Sequence, residues 1–344
     1  MYNLWTFIKT LRFKSACILT FLIFSCLNTV KADDFDYNDP RVRNFWYEFL
    51  TRRSIPQEKQ VDFVKSTPLY DKYTFKFTEH TRKTKSVSID FYLTHIGKHR
   101  RKPLVLLYPG MTGTTILDRS IAHVFNRKGY HVAVSHYFDT SLVGSTNDLS
   151  LNMLDTLRVG FSTLDYLIKI GKISKQVIDQ TQIALFGTSF GAIRAAYQLA
   201  LDQRIRASAL IVGGFPLADI MTDSEIPYIE EIRHHHMEHE EIATLEEYRR
   251  ILKQQALFKI EEFWKRRDNH DVFMVTAAKD SWVPTHTQEQ MWQALGKPFR
   301  IRSKWGHVRT PICTRTKHIG KIARFFQQQF RNTKACHLSK LGLI

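Results

Sequence analysis

Three side chains able to make a hydroxyl reactive occur in a telling order in this sequence. Ser189 sits in Gly187-Thr188-Ser189-Phe190-Gly191, Asp280 in Lys279-Asp280-Ser281-Trp282-Val283-Pro284, and His307 in Lys304-Trp305-Gly306-His307. A serine hydroxyl is a poor nucleophile at neutral pH. It needs a base within hydrogen-bond reach, and that base must be oriented by an acid. Such a set would open a carboxylic ester or amide through an acyl intermediate. Each residue also has a plain reading: Ser189 as a turn residue, Asp280 as a cap for a helix over 283–295, His307 as a surface loop residue. What favours chemistry is that all three fall just past predicted strands, in the order Ser…Asp…His. Asp219 and Asp223, after the predicted strand 207–213, are the rival acids.

The elements that must position them are legible from apolar runs and breakers. Residues 183–186 form a compact apolar strand that enters G-x-S-x-G and leaves into helical composition over 192–201. Glycine at 187 and 191 lets strand and helix pass closely and forces Ser189 into an exposed, strained turn. Residues 103–108 are continuously apolar, as expected of a strand buried on both faces of a parallel sheet. A helix over 115–128 ended by Gly129, a strand at 130–135 and a long helix over 148–170 ended by Gly171 precede the Ser189 strand. Strands at 207–213, 271–277 and 299–304 and a closing helix over 316–331 follow it. This alternation predicts an α/β fold with a mostly parallel, doubly wound sheet. Ahead of it, 73–79 and 86–94 alternate as a hairpin across the basic turn 81–85. Residues 33–72, with Phe45, Trp46, Tyr47 and Phe49, read as a helical lead-in. Residues 217–270 are charged, helical and without a strand, and read as a cap over the carboxyl edge of the sheet. The organisation expected is thus a lead-in (33–72), a core (73–216 and 271–331), a cap (217–270) and a tail (332–344).

On these residues the chain resembles the α/β-hydrolase superfamily over roughly residues 104–326, anchored by G-T-S-F-G. Asp280 to Pro284 resembles the D-x-x-V-P run of family acids, and Gly306-His307 the G-H pair that carries the family histidine. The resemblance implies Ser189 as nucleophile, Asp280 as acid and His307 as base. It implies a serine hydrolase of carboxylic esters, of small-molecule or lipid type, working without a cofactor. A peptidase, amidase or acyltransferase on the same three residues, and a binding protein that keeps the fold without catalysis, are the alternatives. An oxyanion needs two main-chain donors. The amide of Phe190 is one candidate. The other, by similarity to the H-G-x-x-G loop of family esterases, is the amide of Met111 in Tyr108-Pro109-Gly110-Met111-Thr112-Gly113, where Tyr-Pro replaces the family His.

Other features bound the reading. With 344 residues and 43% hydrophobic content the chain can bury a full core. The formal charge of +17 suits anionic surfaces such as lipid headgroups, against the plainer reading of scattered solvated cations. Residues 1–32 have a basic start (Lys9, Arg12, Lys14), an apolar run over 16–27 and Val30-Lys31-Ala32 as a cleavage signal. They read as an export signal, with an uncleaved anchor as the alternative. Its removal would leave Cys313 and Cys336, whose pairing the sequence leaves open. His234, His235, His236 and His239 invite a metal, but H-E-x-x-H is lacking and a solvated cap face is the expectation, with no metal. No phosphate loop follows Gly110 to Thr115, since no G-K-[ST] occurs there, and no nucleic-acid module is present.

Overall fold

The computed structural model describes residues 56–80, 84–97, 100–136, 142, 144–256 and 269–340. The expected export segment and the aromatic anchors at 45–49 lie outside these residues. The strands are β1 (Gln57–Ser66), β2 (Tyr70–His80), β3 (Thr84–Thr94), β4 (Lys102–Tyr108), β5 (His131–His136), β6 (Ile178–Thr188), β7 (Ile205–Ile211), β8 (Val272–Ala277) and β9 (Phe299–Ser303). They form one sheet in the order β1-β2-β3-β5-β4-β6-β7-β8-β9. From β5 to the β9 edge every pairing is parallel, and β1, β2 and β3 add an antiparallel flank joined to β5.

The main helices are α1 (Ile116–Arg127), α2 (Thr146–Asp165), α3 (Phe190–Leu201), α4 (Leu217–Asp223), α5 (Pro227–His239), α6 (Leu245–Gln255), α7 (Thr285–Ala294) and α8 (Ile319–Lys340). Side chains alternate across a strand, so each apolar run serves two layers. Val105, Leu107, Ala184 and Phe186 face α1 and α8, where the rings of Phe125 and Phe326 stack at 5.8 Å. The intervening residues Leu104, Leu106 and Leu185 are fully buried as well, on the face covered by α2 and α3. This is the doubly wound α/β-hydrolase architecture expected. Local signals agree with it: Thr115 with Asp118, and Ser145 with Asp148, form reciprocal caps at the starts of α1 and α2. Gly129 ends α1 at φ +84°, a conformation side chains other than glycine rarely adopt.

Two expectations need correction. The described part of the supposed helical lead-in is strand β1, paired antiparallel with β2. Its Val61 and Phe63 alternate with polar Gln60 and Asp62, a period of two that the charges around it obscured. The supposed tail is also helical: α8 runs to Lys340, because neither proline nor glycine interrupts 321–340.

The insertion after β7 folds as α4, α5 and α6, and residues 257–268 lie outside those described. Side chains tie it to the carboxyl ends of the strands. Glu240, just past α5, accepts from the amide and hydroxyl of Thr146 at 2.7 and 2.5 Å. His236 bonds the Gly144 carbonyl through Nε2 at 2.7 Å and the Tyr248 hydroxyl through Nδ1 at 2.9 Å. Ser224 donates to the carbonyl of Trp282.

Candidate active site

Strand β6 runs into α3 through a turn that leaves almost no room. A Cβ on Gly191 would lie 2.2 Å from the Tyr108 carbonyl oxygen and 2.4 Å from that of Pro109. One on Gly187 would lie 2.3 Å from the Gly191 carbonyl oxygen. Between them Ser189 sits at φ 57°, ψ −124°, a sparsely populated region that persists only where the surroundings fix it. Its amide donates to the Ile211 carbonyl at 2.8 Å, tying the turn to the end of β7.

The loops after β8 and β9 bring the other two residues to this point. His307 Nε2 lies 2.9 Å from Ser189 Oγ, and His307 Nδ1 lies 2.9 Å from Asp280 Oδ2. The Asp280 side chain is fully buried. It is held by four donors: the amides of Trp282 and Val283 at 3.0 Å on Oδ1, and Gln288 Nε2 at 2.9 Å with His307 on Oδ2. Buried charge is tolerated when so satisfied. With Oδ2 accepting from Nδ1–H, the imidazole is left with Nε2 free to accept the serine proton.

Asp219 and Asp223, the rival acids, are elsewhere. Asp219 pairs with Arg249 and Lys253, and Asp223 with Arg249 and His286, in an ionic cluster of the cap. The histidine run divides. His234, His235 and His239 are exposed, as a solvated face requires, but His236 is buried. Burial pushes its imidazole below the ordinary value of 6.5, so it is a neutral strut and not part of the solvated face expected for it. Among the described residues no cluster suited to a metal occurs. Cys313 is a free thiol.

Ser189 and His307 open onto a cleft of about 540 Å³, walled by Met111 and Leu117 on one side and by Ile226, Tyr228 and Trp282 on another. Ile226 and Tyr228 come from the insertion, so the cap forms part of the wall. Met111 stands in the turn closed by the Gly113 amide donating to the Gly110 carbonyl at 3.0 Å. Phe190 is the first residue of α3. Asp118, at the cleft edge, is buried, and desolvation raises its carboxyl above the usual range.

Two contributors escaped the sequence reading. Gln288, 1% exposed, holds Asp280 Oδ2 and the Val283 carbonyl while accepting the Ala277 amide. The Trp282 ring lies 5.2 Å from the His307 ring. Gln288 follows Asp280 by two helical turns' worth of residues, but nothing in an isolated glutamine marks it.

Comparison with known proteins agrees with this architecture. No curated protein sequence matches the chain. Among solved structures it is similar to acetyl xylan esterase 1 from Thermoanaerobacterium sp. JW/SL YS485 (TM-score 0.62, 12% identity, 84% of this chain and 94% of that one). It is equally similar to the acetyl xylan esterase from Paenibacillus sp. R4 (TM-score 0.62, 17% identity, 87% and 96%). The Pyrococcus horikoshii acylaminoacyl peptidase also matches (TM-score 0.55, 13% identity), over 76% of this chain but 42% of that one. These likenesses show a shared fold. Residues 118–333, more than half of the sequence, match the prolyl oligopeptidase family, and the chain therefore belongs to that family of α/β-hydrolases.

Proposed function

We propose that the protein hydrolyses carboxylic esters through an acyl-enzyme on Ser189. Ser189 Oγ attacks the ester carbonyl carbon while His307 Nε2 takes its proton. Asp280 holds the Nδ1–H and stabilises the imidazolium. The carbonyl oxygen becomes an oxyanion, for which the amides of Phe190 and Met111 are the assigned donors. Collapse breaks the bond to the leaving alcohol, which takes the proton from His307. Water, deprotonated by the same imidazole, then attacks the acyl group and releases the acid and free Ser189. The observation that carries this reading is the continuous chain of hydrogen bonds, 2.9 Å from Ser189 to His307 and 2.9 Å from His307 to Asp280. Both lengths lie in the range required of a nucleophile and its base.

Preference for esters over amides draws support from the two acetyl xylan esterases, whose chains this one nearly spans. Cleavage of a peptide bond is the second reading, favoured by the membership of the prolyl oligopeptidase family. Turnover of p-nitrophenyl esters of graded acyl length, beside peptide p-nitroanilides, separates them. The ester reading expects kcat/KM at least about 10²-fold higher on the best ester, since one shared site discriminates by transition-state binding. Faster turnover of an anilide overturns it. Export is proposed from residues 1–32, and a mature protein that begins anywhere but near Asp33 contradicts cleavage after Ala32.

A further inference from the structure

The cleft mouth is ringed by apolar side chains that face water. Ile116, at the start of α1 between the cleft residues Thr115 and Leu117, is 83% exposed. Val308 is 58% and Ile312 46% exposed, in the segment that also supplies Pro311 to the wall. Trp282 and Tyr228, both 38% exposed, continue the ring. Single exposed apolar residues need no explanation, but a patch gathered around one opening marks a surface that meets something.

The charges beside this ring are not evenly mixed. From Met291 to the last residue the sequence has no Asp or Glu at all, while it carries Lys304, Arg309, Arg315, Lys317, Lys321 and Arg324 in the segment around the mouth and along α8. Lys304 and Arg309 are exposed and ride on the Trp305 ring at 5.0 and 3.9 Å. Arg315 donates to Ser120 and so joins this segment to α1. The cap wall differs, with exposed Glu225 and Glu231 near Tyr228. Exposed carboxylates thus stand on the cap wall, whereas the carboxyl-terminal segment that bears Val308 and Ile312, and that Arg315 ties to α1 and Ile116, carries cations and no carboxylate.

We propose that this side of the cleft mouth docks on an anionic lipid bilayer, with Ile116, Val308 and Ile312 entering the headgroup region and the flanking Lys and Arg neutralising lipid charge. The arrangement, an apolar group rimmed by cations, is that of interfacial lipid binding, and each cation near an anionic leaflet adds to attraction. A soluble anionic polymer would use the cations but has no use for an apolar rim. If the ester reading holds, docking sets the opening toward substrates in the bilayer surface.

The test is co-sedimentation of the full chain, carrying Ser189→Ala so that hydrolysis plays no part, with vesicles of phosphatidylcholine alone or with 30% phosphatidylglycerol. The double variant Ile116→Ser, Ile312→Ser is the comparison; residues 1–32 are common to both proteins, so any difference reports the rim. The expected result is binding to anionic vesicles that weakens at least about tenfold in the double variant and in 0.5 M salt. The same two substitutions in the protein with Ser189 intact should leave turnover of p-nitrophenyl acetate unchanged, showing an intact fold. Equal binding to neutral and anionic vesicles, equal binding by the variant, or retention by dextran sulfate with no vesicle binding would each overturn the proposal. Loss of the ester turnover in both proteins would count against the hydrolase reading and leave the vesicle result standing.

Discussion

The serine turn and the cap are held by different forces. Around Ser189 the fit is between main chains: Gly187 and Gly191 admit carbonyl oxygens that a Cβ would meet at 2.3 and 2.2 Å. The cap is held instead by side chains reaching across long sequence gaps, Glu240 to Thr146 and His236 to Gly144. A main-chain fit leaves a mark on residue type, because only glycine satisfies it. A side-chain fit leaves none, since Glu and His have many other uses.

The two regions should therefore break differently. The largest effect is expected from Asp280→Asn. Oδ1 accepts two amides, so the asparagine oxygen stays there and its NH₂ turns toward Gln288 and His307. The imidazole is then driven to the tautomer with Nδ1 as acceptor, and kcat should fall about 10⁴-fold with native circular dichroism retained. A fall under tenfold would remove Asp280 from the account. Gly191→Ala comes next, as a loss of fold and not of chemistry alone. Backbone atoms cannot yield cheaply, and destabilisation of about 4 kcal/mol or more is expected in urea unfolding. Wild-type stability in that variant would show that the turn has slack.

Gln288→Leu sits between the two regions in kind. It acts through Asp280 and should lower kcat about 10- to 100-fold with KM nearly constant, and Gln288→Glu should not restore it, since a second carboxylate would repel Asp280. A change confined to KM would assign Gln288 a different role. The smallest effect belongs to the cap. His236→Ala leaves the Tyr248 hydroxyl and the Gly144 carbonyl without this partner and should cost about 2 kcal/mol. In the wild type His236 is harder to protonate folded than unfolded. Its contribution is thus present above the ordinary value of 6.5 and is lost as pH falls below it. A calorimetric Tm that declines from pH 7 to pH 5 should lose part of that slope in His236→Ala; identical slopes would refute the strut.

What could be read from the chain follows the same division. The Leu104 to Tyr108 strand, the turn at Ser189 and the loops bearing Asp280 and His307 are written in apolar runs and in glycines with no substitute, and the structure has them there. Strand β1 was hidden because its period of two is short and its edge position leaves Phe63 exposed, which weakens the in-and-out contrast. Gln288 and His236 were hidden because their roles depend on partners fixed only after the sheet closes: Asp280 for one, Gly144 and Tyr248 for the other. The cationic side of the cleft mouth was written in plain sight, as an absence of carboxylates after Trp292's own helix begins its last turn, but its relation to Ile116 required the fold.

The central claim is that His307 makes the Ser189 hydroxyl reactive, and a fluorophosphonate probe reads this directly. Incubation at pH 7.5 followed by peptide mass mapping should place one probe adduct on Ser189, and none should form in Ser189→Ala or, at the same exposure, in His307→Ala. A folded wild-type protein that stays unlabelled, or that is labelled at another residue, would contradict the account.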